Sequence, residues 1–526
     1  MSQPNPTQPK PNKETHRLCR EAEEAWKRLD YAQSITLLER AARMEPSNPS
    51  LYLSLARAHG LRYDYPAAKR YVEKALQVSQ DSVQMIEGAA RICSNFKNLE
   101  IMAGCLERAS RKEGVSIDAL MWLADIYTVD DRIDEAAEIV GRAARMNRND
   151  ARVSLREAVL KRRRGETNEA ESLFHDIMTN SSADVTVRAR AGYGLAGILD
   201  GAGKYDEAMT ALLETKSIQR PQALPLAPQL QRMQIINKEI PQTINTAIVD
   251  RWRANAAKFQ PPRRLALLSG HNRSGTTLLE QVLDAHGGAV SLEETSLLHD
   301  EIYQPLTANF PPGTGLFQML DSSPPSVLSR LRENYIHFAE MFLGKAIGDR
   351  LVVDKNPGVN VMVPVLLRVF PETKFLIALR DPRDVVMSCF MQPFSLSPAS
   401  SAYLTLEGAV NHYASMMQFW REMLPRMGNQ WMYVRYEEMI DNLPAVARSV
   451  LEFLGLAFED NVLKFFEHAR TRRINSPSRQ DVRKPIYRTA VGRWKNYQKY
   501  LEPYMHGLEP FLKEFGYDSP PASVKP

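Results

Sequence analysis

Small and large apolar residues recur through the first 220 positions at a fixed spacing. Ala41, Ala75, Ala109, Ala143 and Ile177 fall 34 residues apart in succession, and Thr215 follows after 38. Three residues upstream of each stands a larger apolar residue: Leu38, Val72, Leu106, Val140, Phe174 and Leu212. Seven upstream stand Ser34, Ala68, Met102, Ala136, Ala170 and Ala208, mostly small. Offsets of three and four share one face of a helix, so each repeat predicts a helix with a buried stripe. A 34-residue period with small residues at fixed places predicts a solenoid of paired helices, because small side chains let two helices approach closely. Pro46 closes the first repeat, and Asp64-Tyr65, Asp131-Arg132 and the run Lys204 to Ala208 mark turns inside repeats. The third repeat fits least well, with Met102 at a small-residue place, and a generic helical bundle is the alternative architecture.

The repeat resembles the tetratricopeptide family over residues 15–218. That resemblance implies a concave groove offered to a peptide or partner protein, and a homodimer braced by the array is the other use it allows. Pro221, Pro225 and Pro228 then interrupt the pattern, and a helix is not expected to run through three prolines so close together. The expected organisation is a disordered lead-in over 1–14, repeats over 15–218, a linker and connecting helix over 219–260, a second domain over 261–515 and a flexible tail over 516–526. Removal of residues 1–218 is accordingly expected to leave the second domain's ligand binding intact.

The second domain changes pattern. Leu265–Leu268 is a short apolar run followed by Gly270, which predicts a buried parallel strand. His271-Asn272-Arg273-Ser274-Gly275-Thr276-Thr277 follows, and then Leu278, Leu279, Val282 and Leu283 at helical spacing. A strand, a glycine-containing loop and a helix in this order aim backbone N–H groups at an anion. Gly270 and Gly275 have the spacing of a phosphate loop, but Thr276 stands where a nucleoside triphosphatase needs its lysine. The loop is therefore expected to hold a smaller anion, with Arg273 supplying charge, and an ordinary kinase is disfavoured. A second strand, Phe375–Leu379, ends in Arg380-Asp381-Pro382-Arg383-Asp384. Arg380 and Ser388 could grip a second phosphate, whereas an ion-pair cluster capping the next helix is the plain reading of the same residues.

Composition narrows the classes. The 526 residues are 44% hydrophobic and 25% charged, ordinary for a soluble globular chain, and no run approaches the roughly 18 apolar residues of a membrane span. The first twenty residues hold no apolar signal region, so a cleaved secretory leader is not expected. Cys19, Cys93, Cys105 and Cys389 lack metal-ligand spacing, which fits a reducing, cytoplasmic setting. A net charge of +5 is too small for a general nucleic-acid binder. The basic residues concentrate between Lys464 and Lys499, with eleven Lys/Arg against Glu467 and Asp481, a segment that suits an anionic ligand or a solvated face.

Taken together, Arg273-Ser274-Gly275-Thr276-Thr277-Leu278, Asp284-Ala285-His286, Glu293-Glu294-Thr295 and Arg380…Ser388 resemble the sulfotransferase family, and the tyrosylprotein sulfotransferases in particular. The resemblance extends to Asp354-Lys355-Asn356-Pro357, Val434-Arg435-Tyr436-Glu437-Glu438 and Ser478…Val482-Arg483-Lys484-Pro485. It implies an α/β P-loop-like domain around a parallel sheet, and 3′-phosphoadenosine-5′-phosphosulfate (PAPS) as sulfuryl donor. Carried onto matching positions, Arg273, Ser274, Gly275, Thr276 and Thr277 would cradle the 5′-phosphosulfate. Arg380 and Ser388 would hold the 3′-phosphate, with Tyr436 and Lys484 as further nucleotide contacts. Glu294 would be the general base, with Glu293 the alternative, and Arg273, Lys355 and Ser478 would stabilise the transferring group. No metal is required by that chemistry.

His271 and His286 are other candidate bases, although Asp284-Ala285-His286-Gly287 reads as the end of a helix. Met387, Met391, Met416, Met417 and Trp494 read as core residues. Two departures bear on the acceptor: Ser296 stands where the tyrosylprotein enzymes carry an arginine that helps hold an acidic peptide, and the membrane anchor of the animal enzymes is not seen. The expected function is sulfuryl transfer to a hydroxyl, with a protein tyrosine delivered by the repeats as one acceptor. A carbohydrate or small-molecule hydroxyl stays open, as does a repeat scaffold carrying an idle nucleotide-binding domain.

Overall fold

A computed structural model describes residues 13–259, 263–472, 474 and 480–518. Within them the chain divides into two compact units, Met1–Gly165 and Glu166–Pro526. The expected lead-in falls largely outside the described residues, and the first helix starts at Lys13. The expected tail begins too early: Tyr517 is buried and donates its hydroxyl to Glu437 Oε2 at 2.7 Å, so the ordered chain continues past 515.

The first unit is helical throughout: α1 (Lys13–Lys27), α2 (Tyr31–Met44), α3 (Pro49–Leu61), α4 (Tyr65–Val78), α5 (Val83–Asn95), α6 (Leu99–Ser110), α7 (Ile117–Val129), α8 (Ile133–Met146) and α9 (Ala151–Arg163). Ala41, Ala75, Ala109 and Ala143 have no exposed surface, and Ser34, Ala68 and Ala136 are buried beside them, so the small-residue stripe is where helices meet. Asp30, Asn48, Asp64, Asn98, Ser116 and Asp150 accept from backbone N–H groups at helix starts, which satisfies donors the helix itself leaves orphaned. The turns inside repeats share a left-handed residue with the same period. Leu29, Tyr63, Lys97 and Asp131 have φ between 55° and 64°, and Gly165 and Gly203 occupy the later places. Only the last two are residues for which that conformation carries no steric cost.

The second unit opens with α10 (Thr167–Thr179), α11 (Val185–Gly201) and α12 (Tyr205–Ala223). The repeat pattern thus runs on into the unit that carries the sheet. The expected helix break at the prolines is present but short, since α12 ends at Ala223 and one turn separates it from the next helix. Pro221 lies inside α12, Pro225 opens a single turn at Leu224–Leu226, and Pro228 lies in the first turn of α13 (Ala227–Thr243), followed by α14 (Thr246–Ala254). First-turn prolines remove an N–H that has no intrahelical partner, so Pro225 and Pro228 start helical turns rather than ending them.

Five strands form one parallel sheet: β1 (Leu265–Gly270), β2 (Ala289–Ser291), β3 (Leu351–Lys355), β4 (Lys374–Leu379) and β5 (Trp431–Arg435), in the order β2-β3-β1-β4-β5. β1 and β3 are buried along their whole length, as strands covered on both faces require. Helices α15 (Thr276–Asp284), α16 (Pro382–Phe390) and α17 (Tyr436–Asp441) follow β1, β4 and β5 directly. The chain leaves β1 toward β2 and β3 on one side and later fills β4 and β5 on the other. A crevice at the carboxyl ends of the strands belongs between β1 and β4, where that direction reverses.

Helices α11 and α12 are fastened to the end of this unit. Asp200 Oδ2 pairs with Arg493 Nη2 at 2.5 Å, and its Oδ1 accepts from the Tyr497 hydroxyl at 2.6 Å. Asp206 pairs with Lys499 at 2.7 Å and accepts from the Tyr500 hydroxyl at 2.9 Å. Lys216 is buried, donating to the Tyr193 hydroxyl at 2.8 Å and lying 4.7 Å from the centre of the Phe390 ring. These contacts lie within one compact unit, Glu166–Pro526, so the expected boundary at 218 falls inside it.

Burial brings the Lys216 ammonium down to about 7 from its ordinary 10.5. Between those values the unfolded chain binds the extra proton, so stability rises with pH across that window and the charge is destabilising below it. Lys216→Met is expected to raise stability at pH 7 by about 1–3 kcal/mol, with the gain shrinking toward pH 10. Thermal melts of both proteins at the two pH values check this, and a gain independent of pH would contradict it.

Candidate active site

The loop after β1 is shaped by close approach. Gly270 has φ 127°, and a Cβ there would lie 2.5 Å from the Ala378 carbonyl oxygen of β4. Gly275 has φ 94°, caps α15, and leaves no room for a Cβ, which would meet the Tyr436 ring at 2.7 Å. Both glycines are therefore demanded by conformation and by space. Thr276 and Thr277 are the first residues of α15, so the helix N-terminus faces the loop and favours negative charge there. Ser274 is buried within the loop, and Arg273 holds a left-handed φ of 69°.

Arg273, Arg380 and Ser388 come together. Arg273 Nε donates to Ser388 Oγ at 3.0 Å, and Arg380 Nη1 donates to the Arg273 carbonyl at 3.2 Å. Arg380 also bonds the Ala490 carbonyl, lies 3.8 Å from Asp384, and sets its guanidinium 4.9 Å from the centre of the Tyr436 ring. Its Nε is buried without a hydrogen-bond partner among the described residues, a donor left over for a ligand. The plain reading of this turn also holds in part, since Asp381 caps α16 and pairs with Arg383 at 2.7 Å. A cavity of about 350 Å³ is bounded by Arg273, Arg380, Ser388, Asp200 and Arg493.

A second cluster sits at the end of β3. Lys355 is 1% exposed, with Nζ 2.6 Å from Glu294 Oε1 and 3.3 Å from Glu280 Oε2. Burial alone would pull this ammonium down, but the two carboxylates outweigh it and hold it above the ordinary lysine range. Burial raises the Glu280 carboxyl. Glu294 is the exposed member, and it lines a cavity of about 130 Å³ together with Arg273, Thr276, Thr277, Arg380 and Tyr436. Lys484 borders the same cavity. Glu293, by contrast, is buried with a left-handed φ of 53°, 4.0 Å from Arg472. Ser478 lies outside the described residues.

The two histidines have other work. His271 has no exposed surface, and burial drives its imidazole down to about 3 beside His412, Tyr403 and Tyr413. His286 follows α15, accepting from the Gly288 N–H and contacting the Ala457 carbonyl at 2.7 Å. Met387, Met416, Met417 and Trp494 are buried, and Met391 is half-buried at the wall of the larger cavity.

The basic segment resolves into specific partners. Arg472 bonds Asp284, Arg488 pairs with Asp441 at 2.8 Å, Arg493 with Asp200 and Lys499 with Asp206, while Arg470 and Arg483 bond carbonyl oxygens. Four of these cations, Arg472, Arg488, Arg493 and Lys499, thus tie the segment to carboxylates of other elements. Sequence reasoning missed Glu280, Asp384 and Tyr487. Glu280 left a trace as a carboxylate flanked by Leu278, Leu279, Val282 and Leu283 on a short helix, all of them buried. Asp384 fixes the return of the chain, accepting from the N–H groups of Gly492 and Trp494 at 2.7 and 2.9 Å. Tyr487 borders both cavities, and its signal was its place just after Lys484 in the basic segment.

Comparison with known proteins divides along the same line. Residues 19–82 match the tetratricopeptide repeat family and residues 267–460 the sulfotransferase family. An uncharacterized protein of Aquifex aeolicus is 24% identical over 434 residues, which is 80% of this chain and 53% of the relative, so the chain spans about half that protein's length. Protein-tyrosine sulfotransferase A of Caenorhabditis elegans is 26% identical over 278 residues, 49% of this chain and 69% of that one. Among solved structures, the sulfotransferase domain of the Synechococcus olefin synthase aligns over 49% of this chain and 96% of its own, at 20% identity and a TM-score of 0.36. Among the described residues no helix is long and apolar enough to cross a membrane. A 34-residue helical period in front, and a loop, helix and parallel sheet behind, thus match the tetratricopeptide repeat family over residues 19–82 and the sulfotransferase family over residues 267–460.

Proposed function

We propose that this chain is a sulfotransferase moving the sulfuryl group of PAPS to a hydroxyl acceptor, with Glu294 as general base. The observation that carries the reading is the Lys355–Glu294 pair, 2.6 Å apart, whose carboxylate opens onto the cavity shared with a lysine-less phosphate loop and Arg380. The residues present fit the donor: the unpartnered Nε of Arg380 suits a 3′-phosphate, and Thr276 and Thr277, at the helix start bordering the same cavity, suit the 5′ side. In the reaction the acceptor oxygen bonds to sulfur as the bond from sulfur to the 5′-phosphate oxygen breaks, and 3′,5′-adenosine bisphosphate leaves with that electron pair. Glu294 takes the acceptor proton, which a hydroxyl must shed to attack well. Lys355 and Arg273 supply fixed positive charge to the transferring group, and the α15 N-terminus holds the donor without rearranging. A protein tyrosine is the acceptor that the named relatives favour, presented by the repeats. Ser296, which donates to Asp300 at 2.5 Å, gives no cation to an acidic peptide at that place.

Calorimetric titration with 3′,5′-adenosine bisphosphate, AMP and ATP, with and without Mg²⁺, tests the donor assignment. Binding that needs the 3′-phosphate and not Mg²⁺ is expected, and Arg380→Ala should weaken it by about 30–100-fold while changing AMP binding little. Binding of ATP alone, or only with Mg²⁺, would contradict the reading.

A further inference from the structure

Glu280 is a fully buried carboxylate that the chemistry above does not use. It lies on α15, five residues after Gly275; Oε1 is hydrogen-bonded, and Oε2 faces a cation with no hydrogen bond of its own among the described residues. Oε2 stands 3.3 Å from Lys355 Nζ, and Oε1 accepts from Ser291 Oγ at 2.5 Å at the end of β2. Ser291 Oγ in turn accepts from the Glu293 N–H at 3.1 Å, and the Ser291 N–H donates to Asp284 Oδ1 at 2.8 Å. One carboxylate on the helix of the phosphate loop therefore touches the cation and, through one hydroxyl, the turn that presents Glu294. That turn needs holding, because Glu293 is a non-glycine residue at φ 53°.

We propose that Glu280 is a positioning residue that holds Lys355 and the Glu293–Glu294 turn in register, resting on the reading of Lys355 and Glu294 given above. A buried carboxylate is costly, and an apolar side chain in its place would carry no such cost. What the carboxylate supplies is a second counter-ion for Lys355, and the ammonium and the Ser291 hydroxyl oppose the upward pull of burial on its proton affinity. When Glu294 takes up the acceptor proton and becomes neutral, Lys355 still faces a negative charge and stays an ammonium. The charged and titratable groups around Lys355 are Glu280 from α15, Glu294 after β2, and Asp354 on β3, the last held by the Tyr335 hydroxyl at 2.7 Å. Arg472, reaching in through Asp284, lowers the field of the carboxylates. Loss of Glu280 removes negative charge from this group, so Lys355 should release its proton at lower pH.

The test uses the full chain, PAPS and a peptide with a single tyrosine as acceptor probe, comparing the parent with Glu280→Gln and Ser291→Ala. Glu280→Gln is expected to lower kcat by about 10–100-fold with the donor KM within threefold, as misplacement of about 1 Å does. The alkaline limb of its kcat profile should move to lower pH. Ser291→Ala, which loosens the turn and leaves Lys355 paired, should lower kcat less and leave that limb in place. Hydrogen exchange of the 289–297 segment should quicken in both variants, with 3′,5′-adenosine bisphosphate bound as tightly as by the parent. Unchanged kcat and unchanged exchange would overturn the proposal, as would equal losses of kcat, donor affinity and melting temperature, which describe a fold role only. A parent chain that transfers nothing to the peptide counts against that acceptor in the reading above, and the exchange measurement still decides for or against Glu280.

Discussion

Glu294→Gln is expected to lower sulfuryl transfer by about 10²–10⁴-fold, the range for loss of a general base, while 3′,5′-adenosine bisphosphate binds as before. The amide keeps the size of the side chain and an oxygen that Lys355 Nζ can still reach, 2.6 Å away in the parent. It cannot take the acceptor proton at neutral pH. Glu294 is exposed, so its loss removes no packing. Kinetics with saturating donor and calorimetry with the bisphosphate separate the two effects. A variant that fails to bind the nucleotide would make Glu294 a structural partner of Lys355, and full activity would pass the role of base to another group.

A chain beginning at residue 219 is expected to lose donor binding altogether, whereas one beginning at Glu166 keeps it. The shorter chain lacks α10, α11 and most of α12, and with them Asp200, Asp206, Tyr205 and Lys216. Arg493 and Lys499 lose their partners, and Tyr205 no longer packs its ring 5.6 Å from that of Tyr497. The exposed ion pairs are worth little individually, about 0–1 kcal/mol each. Uncovering Phe390 and Tyr497, both now without exposed surface, adds on the order of 5 kcal/mol, against a total stability of about 5–15 kcal/mol. The affected segment includes the border of the cavity that Arg380 and Ser388 share. Melting curves and bisphosphate titration of the two truncated chains check this. Equal binding by both would return the boundary to residue 218.

Much of the molecule was legible in its residues because the signals are local. A 34-residue spacing of alanines writes helix contact directly into the chain, since each place at the crossing admits only a small side chain. Gly270 and Gly275 announced the phosphate loop, as the backbone there is left-handed and crowded by Ala378 and Tyr436. The order of strand, loop and helix likewise follows from neighbours in sequence. Where local rules misled, the cause was position: Pro225 and Pro228 stop a helix in its interior but suit its first turn, and the structure uses them there.

The tertiary structure alone decided which charges meet. Arg493 and Asp200 are 293 residues apart, as are Lys499 and Asp206, and no spacing in the chain connects them. The basic run near the C-terminus read as a segment for an anionic ligand or a solvated face, yet Arg472, Arg488, Arg493 and Lys499 pair with carboxylates brought from other elements. Glu280 and Lys355 lie on a helix and a strand whose apolar patterns place both inside, and only the parallel register of β1 with β3 brings them within 3.3 Å. By itself the sequence determined the elements and their chemistry, because backbone preference and periodic burial act over a few residues. The pairing of charges was left to the packed chain, because Coulomb attraction depends on distance in space and carries no period along the sequence.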